Sequence, residues 1–204
     1  MSFSDLASPM RVLCVVLGLA ACADTRALVG PELGDSTPTA SRAAQPASTP
    51  APDKQTAKFE IDFMQGMIDH HAMAVAMAEL CVQKAIHEEL RQLCGDIIAA
   101  QSAEIQQMQG WLQEWYGVSY EPRMTNGAMR QMEKLASLSG AEFEIAFMEQ
   151  MIRHHEAAIK EARTCLRRAY HVELRQLCEN IIATQSAEIE QLQNWLCQWY
   201  GICK

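Results

Sequence analysis

The sequence predicts an all-α protein, a four-helix bundle built from two copies of one helical hairpin and joined by a short crossover helix. Three observations lead there. Residues 63–117 align without a gap on residues 147–201 at an offset of 84, with 32 of 55 positions identical, far beyond chance for an internal repeat. Within each copy, apolar residues recur every three and four positions, the period of an amphipathic helix. Beyond Pro52 only Pro122 remains of the seven prolines, so two long stretches are free to run as uninterrupted helices.

The N-terminal part reads as export and tether. Residues 1–22 form a lipoprotein-type signal: Met10-Arg11 supplies one basic residue, Val12 to Ala21 a short apolar run, and small residues precede Cys22. Such a run is too short to stay in a bilayer as a spanning helix. Leu19-Ala20-Ala21-Cys22 resembles the lipobox of bacterial lipoproteins, which makes Cys22 the lipidated first residue of the mature chain. Ordinary cleavage near Ala21 or Ala23, without lipid, is the alternative. Residues 1–9 carry Asp5 and fit a signal poorly, so Met10 is an alternative start. Ala23 after the lipidated cysteine leans toward the outer membrane by analogy with lipoprotein sorting, and the protein is expected to face the periplasm. Residues 23–53, rich in Ala, Thr, Ser and Pro, read as a disordered tether.

The helical bundle is expected over residues 54–204. In the first copy one helix runs from about Lys54 to Lys84 and a second from about His87 to Trp115, and the second copy repeats them. Neither hairpin can bury its apolar face alone, so the two pack together. Between them Met129, Met132, Leu135 and Leu138 stand at helical spacing and predict a crossover helix over 126–138.

Composition narrows the function. The net charge of −8 opposes nucleic acid and anionic lipid surfaces, leaving membrane attachment to the N-terminal lipid. An acidic surface tolerates cations. There is no nucleophile elbow, phosphate-binding glycine loop or nucleotide fingerprint in the chain, so catalysis has little direct support. Eight cysteines favour an oxidising compartment. Cys81 and Cys94 flank the first hairpin turn, Cys165 and Cys178 the second, and Cys197 and Cys203 bracket the last turn. With Cys14 cleaved away and Cys22 lipidated, three disulfides use every remaining cysteine. A thiolate metal site competes, without the close C-x-x-C spacing of zinc knuckles.

The polar residues on the apolar stripes carry the functional signal. At about 100° per residue, Leu90, Ile97, Met108 and Trp115 share one sector of the second helix, with Glu104 in its middle and Gln101 beside it. Gln185 and Glu188 repeat the arrangement. On the first helix the stripe is Phe63, Met67, Ala74, Ala78 and Cys81, and both His70 and His71 fall inside it, as do His154 and His155 in the second copy. An ionised carboxylate buried in a bundle must be paired, hydrogen-bonded or metal-bound. Under pseudo-twofold symmetry His71, His155, Glu104 and Glu188 are expected to converge, with His70, His154, Gln101 and Gln185 as a surrounding shell. Two readings fit: a buried His–Glu hydrogen bond with no further role, or a metal site, since four histidines exceed what two glutamates need. His87 and His171 lie at the helix turns and read as solvated or capping residues outside the site.

Methionines give the metal reading its character. Met64, Met67, Met73, Met77 and Met108 surround the first His pair, whereas the second copy keeps Met148 and Met151 but has Ala157, Glu161 and Leu192 at the other places. Thioether with imidazole suits Cu(I) or Ag(I), although Met64 and Met67 serve equally as core filling. Met73 and Met77 fall toward the stripe's edge beside His70 and are the stronger candidate ligands. Met67, Met73, Met77 and Met151 join the four histidines, Glu104 and Glu188 as the candidate metal ligands.

The strings Phe63-Met64-Gln65-Gly66-Met67-Ile68-Asp69-His70-His71 and Phe147-Met148-Glu149-Gln150-Met151-Ile152-Arg153-His154-His155, with Gln101-Ser102-Ala103-Glu104-Ile105 and its partner, resemble the paired signature of the domain of unknown function 305 family. The resemblance covers nearly all of the chain from residue 56. It implies a ferritin-like helical bundle, secreted or periplasmic, with some relatives that bind copper or silver and contribute to metal tolerance. Asp69 stands where proline is common in the family and Glu161 where methionine is common, which weakens a symmetric soft-metal site. The leading expectation is thus a periplasmic protein sequestering Cu(I) or Ag(I). The alternatives are a ferritin-like di-metal redox enzyme using Glu104 and Glu188, or an envelope scaffold with a purely structural His–Glu core.

Overall fold

The computed structural model describes residues 49–203. The signal segment with Cys14 and Cys22, and the tether up to residue 48, lie outside the described residues. Five helices follow in order: α1 (Lys54–Lys84), α2 (Glu88–Tyr116), α3 (Asn126–Ala136), α4 (Gly140–Arg168) and α5 (Val172–Tyr200). The fold is the duplicated-hairpin bundle that the repeat predicts, with α3 as the crossover. Among the described residues no helix is long and apolar enough to cross a membrane.

Local chemistry sets the helix ends. Asp53 is the N-cap of α1, its Oδ1 accepting from Gln55 N at 3.0 Å and Thr56 N at 2.9 Å, which satisfies two amides with no intrahelical partner. Thr125 Oγ1 caps α3 by accepting from Ala128 N. Helices α2 and α5 both stop at a glycine in the left-handed region, Gly117 (φ 66°) and Gly201 (φ 68°). A side chain at either position is strained, and the turn lets the next two amides close back on the helix. The three-residue turns 85–87 and 169–171 reverse each hairpin, and a disulfide crosses behind each, Cys81–Cys94 and Cys165–Cys178. Each closes a loop short enough to contribute about 3 kcal/mol by the chain-entropy estimate.

All four long helices contribute to two separate apolar clusters. One unites Ala74, Met77, Ala78 and Cys81 with Leu90, Leu93 and Ile97, Phe143, Phe147, Met148 and Met151, and Leu192 and Leu196. The other unites Phe63, Met64, Met67 and Ile68 with Met108, Leu112 and Trp115, Ala158 and Ala162, and Leu174, Leu177 and Ile181. The N-terminal half of α1 thus shares a cluster with the C-terminal half of α4, and the reverse, so the hairpins pack head to tail about a pseudo-twofold axis. Crossover helix α3 adds the fully buried Leu135 to the first cluster, with Met132 and Leu138 packed against it, while Met129 stays 43 % exposed.

A pair of carboxylate clamps locks one hairpin to the other. Glu60 of α1 is wholly buried and reaches the turn of the other hairpin. It accepts from Tyr170 N at 2.6 Å and His171 N at 2.9 Å, lies 2.6 Å from His171 Nδ1, and takes the Tyr116 hydroxyl. Glu144 of α4 repeats the arrangement with Ile86 N (2.7 Å), His87 N (2.8 Å), His87 Nδ1 (2.6 Å) and the Tyr200 hydroxyl. Burial pulls the Glu144 carboxyl upward, but the hydrogen bonds from the His87 amide, Tyr200, the His87 ring and the Ile86 amide outweigh it and hold the group below its ordinary value. Burial, reinforced by the carboxylate partner, pushes the Tyr116 and Tyr200 phenols far up, so both remain donors. Each imidazole is also stacked on an indole, His87 on Trp199 at 3.9 Å and His171 on Trp115 at 3.8 Å between ring centroids.

This corrects the reading of His87 and His171 as solvated or capping residues. They occupy N-cap positions but make no side-chain cap bond, and His171 is only 5 % exposed. An acceptor from the other hairpin outcompetes the helix's own amides for the ring. The missed signal was in the chain: Phe59-Glu60-Ile61 and Phe143-Glu144-Ile145 stand at the same offset of 84, so the repeat begins before residue 63. The clamp also engages the end of the expected tether, since His171 Nε2 donates to the Thr49 carbonyl at 2.7 Å and Ala51 is buried.

Replacing Glu60 with Ala leaves two amides, a ring nitrogen and a hydroxyl without their acceptor, and is expected to cost about 3 kcal/mol or more. Glu144→Ala is expected to cost less, because the His87 side chain is 32 % exposed and water replaces part of the lost bonding. Urea unfolding of both variants checks the order; equal losses contradict it.

Candidate metal centre

Between the two apolar clusters lies a layer of polar side chains at mid-bundle: His70 and His71 from α1, Gln101 and Glu104 from α2, and His154, His155, Gln185 and Glu188 from α4 and α5. The positions follow from helical phase, since each His-His pair straddles the apolar stripe of its helix. His71 and His155 are completely buried, and Gln101 and Gln185 are each 3 % exposed.

The layer has an inner pair and two outer pairs. Across the pseudo-twofold axis His70 lies on His154, with ring centroids 3.6 Å apart and planes tilted by 34°. Within the first hairpin His71 Nε2 is hydrogen-bonded to Glu104 Oε2 at 2.7 Å. Within the second, His155 Nε2 lies 2.7 Å from Glu188 Oε2, too poorly aligned for a good hydrogen bond, so that both atoms are unsatisfied. The expected arrangement is inverted. Helical phase alone puts His71, His155, Glu104 and Glu188 at the centre and His70 and His154 in the shell, whereas His70 and His154 meet at the axis. Each glutamate lies beside the histidine of its own hairpin, not at the axis. The reason is packing geometry: α1 faces α4 directly, while α2 and α5 each lie against their hairpin partner, so glutamates on α2 and α5 stay on the flanks.

The electrostatics follow from burial. Desolvation, aided by the neighbouring imidazoles of His71 and His155, lowers His70 to about 4. Desolvation, with His70, His155 and His71 behind it, lowers His154 to about 2. Both rings are therefore neutral at physiological pH and carry a free lone pair. Buried polar atoms with no hydrogen-bond partner concentrate here: Nδ1 of His70, His71 and His155, both ring nitrogens of His154, and Oε1 of Gln101 and Gln185. Such atoms cost about 1–3 kcal/mol each when left unpaired. A neutral imidazole lone pair suits a metal ion, so this donor set fits a bound cation. Among the described residues, however, no three His, Cys, Asp or Glu side chains close on one point, and a hard carboxylate-rich site is not preformed.

The methionines divide unevenly about this layer. Met77 and Met151 are fully buried and Met73 half-buried, and all three belong to or pack against the cluster on one side. Met67 is 3 % exposed and belongs to the cluster on the other side, where the second copy offers Ala157 and Glu161, both exposed. Met77 is thus core rather than stripe edge, because Phe143 and Phe147 of α4 cover the flank that a single helix leaves open. Asp69, next to His70, anchors the connection into α3: it accepts from the Tyr120 hydroxyl at 2.8 Å and Arg123 N at 2.7 Å.

Acid is expected to destabilise the metal-free bundle through the inner pair. The unfolded chain takes up protons at the ordinary histidine value of 6.5 while the folded rings resist until about 4 and about 2. The stability due to the neutral rings is fully present above pH 6.5 and declines as the pH falls. The slope reaches about 1.4 kcal/mol per pH unit for each histidine. A series of urea titrations between pH 7 and pH 4 on wild type and His154→Gln reads it directly; the variant is expected to lose half of the inner-pair slope, and identical profiles contradict the assignment.

Comparison with known proteins gives the fold and the layer their context. The family model described as "Domain of unknown function (DUF305)" matches residues 60–196. CopM in its Cu(I)-bound form superposes with a TM-score of 0.63 at 34 % identity, covering 70 % of this chain and 98 % of that one. CopM has also been solved in a silver-bound form by co-crystallisation, with a TM-score of 0.62, 36 % identity and the same coverage. A putative secreted DUF305 protein from Streptomyces coelicolor matches with a TM-score of 0.60 at 27 % identity, over 72 % of this chain and 95 % of that one. An uncharacterized protein of Acanthamoeba polyphaga mimivirus is 38 % identical over 52 residues, which are 26 % of this chain, and the match spans only about a third, 34 %, of that relative. With the family model spanning both hairpins and their crossover, the chain belongs to the DUF305 family.

Proposed function

We propose that this protein binds a soft monovalent metal ion, Cu(I) or Ag(I), at the mid-bundle layer and acts by sequestration rather than catalysis. The observation that carries the reading is the pair of neutral imidazoles, His70 on His154, whose buried ring nitrogens lack partners where two hairpins meet. On this reading His70 and His154 are the central nitrogen donors, and Met73, Met77 and Met151 supply thioethers from the side where they gather. Imidazole and thioether are the ligand types that favour Cu(I) and Ag(I) over hard divalent ions. The metal-bound forms of CopM, a family relative at 34–36 % identity, support the same class of ion.

His71, hydrogen-bonded to Glu104, and His155, beside Glu188, then act as positioning residues that fix the helix phase presenting the inner rings. This part of the layer also supports the second reading, a structural His–Glu core, because the 2.7 Å His71–Glu104 bond needs no metal. A di-metal redox centre draws less support. Such centres use about four carboxylates, and the layer holds two, each beside its own histidine. We further place the protein in the bacterial envelope, anchored through Cys22, on the lipobox-like Leu19-Ala20-Ala21-Cys22.

Titration of the folded protein with Ag(I) or Cu(I) against a competing chelator is the test. Wild type is expected to take up metal stoichiometrically, His70→Ala/His154→Ala to lose at least tenfold in affinity, and Met73→Leu to lose less. His71→Gln is expected to lower stability more than affinity. Absence of stoichiometric binding by a wild-type protein that melts cooperatively defeats the reading and leaves the structural core.

A further inference from the structure

The duplicated hairpin provides its own comparison for the third disulfide. Helices α2 and α5 end in the same turn: Gly117 N donates to the Gln113 carbonyl and Val118 N to that of Leu112, each at 3.0 Å, and Gly201 N donates to the Cys197 carbonyl and Ile202 N to that of Leu196, also at 3.0 Å. The glycine conformations coincide, φ 66° and ψ 23° against φ 68° and ψ 14°. The second turn is cross-linked, Cys197 to Cys203, while the first has Gln113 and Ser119 at the equivalent positions. The backbone hydrogen bonds therefore build the turn without a covalent bond.

Exposure separates this disulfide from the other two. Cys81, Cys94, Cys165 and Cys178 are wholly buried within the apolar clusters, so a reductant reaches them only after a hairpin opens. Cys203 is exposed and Cys197 half-buried. The sequence separation is also short, 6 against 13, so the cross-link removes less entropy from the unfolded chain. Accessible disulfides that contribute little stability are the reducible ones.

We propose that Cys197–Cys203 is a thiol–disulfide exchange site whose dithiol form binds one soft monovalent d10 cation, separately from the histidine layer. The reductant is a dithiol. Its thiolate attacks one cysteine sulfur, breaking the Cys197–Cys203 bond and releasing the other cysteine as a thiolate in a mixed disulfide. The second thiol of the reductant, as thiolate, then displaces the remaining cysteine, and the reductant departs as its own disulfide, having given up two electrons. The two cysteines take up two protons as thiols, or release them on binding the metal. Cys203 lies beyond Ile202, the last residue held by the turn's hydrogen bonds, so its sulfur is free to swing apart from that of Cys197. Two thiolates at one exposed turn are the soft, low-coordinate donor set that such ions prefer.

The full chain is treated with graded dithiothreitol, alkylated and mapped by peptide mass. Among the six bundle cysteines, Cys197 and Cys203 are expected to be labelled at reductant levels that leave Cys81, Cys94, Cys165 and Cys178 protected; simultaneous labelling of these six, or protection of the Cys197–Cys203 pair, overturns the exchange site. Ag(I) is then titrated after removal of the reductant under nitrogen. The selectively reduced protein is expected to take up one more equivalent than the oxidised protein, and no increment overturns the metal site. Cys197→Gln/Cys203→Ser, which carries the residues of the first turn, is expected to melt with the oxidised wild type and to show no increment; a clearly lower melting temperature makes the bond a structural staple and overturns the proposal. His70→Ala/His154→Ala is expected to keep the reduction-dependent equivalent, so failure here is distinct from failure of the histidine site.

Discussion

The cost of carrying imidazoles into an apolar interior is the constraint around which this bundle is arranged. A continuous hydrophobic core would be the simpler solution for four helices of this length, since every unpaired buried polar atom counts against folding. The protein instead interrupts its core at mid-length, with Phe- and Met-rich packing on one side and Met-, Leu- and Trp-rich packing on the other. The two apolar halves, the hairpin disulfides and the carboxylate clamps together hold a layer that would not hold itself. Because the hairpins are related by pseudo-twofold symmetry, a residue that faces the axis from one copy must meet its counterpart from the other. Two like imidazoles therefore meet in close, tilted contact, which they can do only as neutral rings.

Among the described residues histidine and glutamate meet four times, with two different outcomes. At the turns Glu60 and Glu144 each gather two backbone amides, a ring nitrogen and a phenol, and the carboxylate is saturated. Those pairs are fasteners. In the mid-bundle layer each carboxylate meets one ring, and the rings keep unpartnered nitrogens. An under-satisfied network is a poor fastener, and its residual lone pairs are what a cation can use. Methionines flank the layer on both sides, Met73, Met77, Met148 and Met151 on one and Met64, Met67 and Met108 on the other, and only the first side carries the additional pair Met73 and Met77, whose counterparts are Ala157 and Glu161.

Much of this was legible in the chain because it depends on period and repetition. The offset of 84 determined that there are two hairpins, the three-and-four apolar spacing determined α1 to α5, and the cysteine positions around each turn determined the cross-links. That histidines and glutamates point inward also followed from helical phase alone. What the tertiary structure decided was which inward residues touch. Phase places a side chain on a face but does not say whether that face meets α2 or α4, and so His70 and His154 rather than His71 and His155 came to the axis. Met77 became core when α4 covered its flank, and His87 and His171 became clamp residues when glutamates 57 and 111 residues away in sequence reached their turns. Contacts within a helix are written in the spacing of the sequence; contacts between helices depend on which faces pack, and the partners there are chosen by the fold.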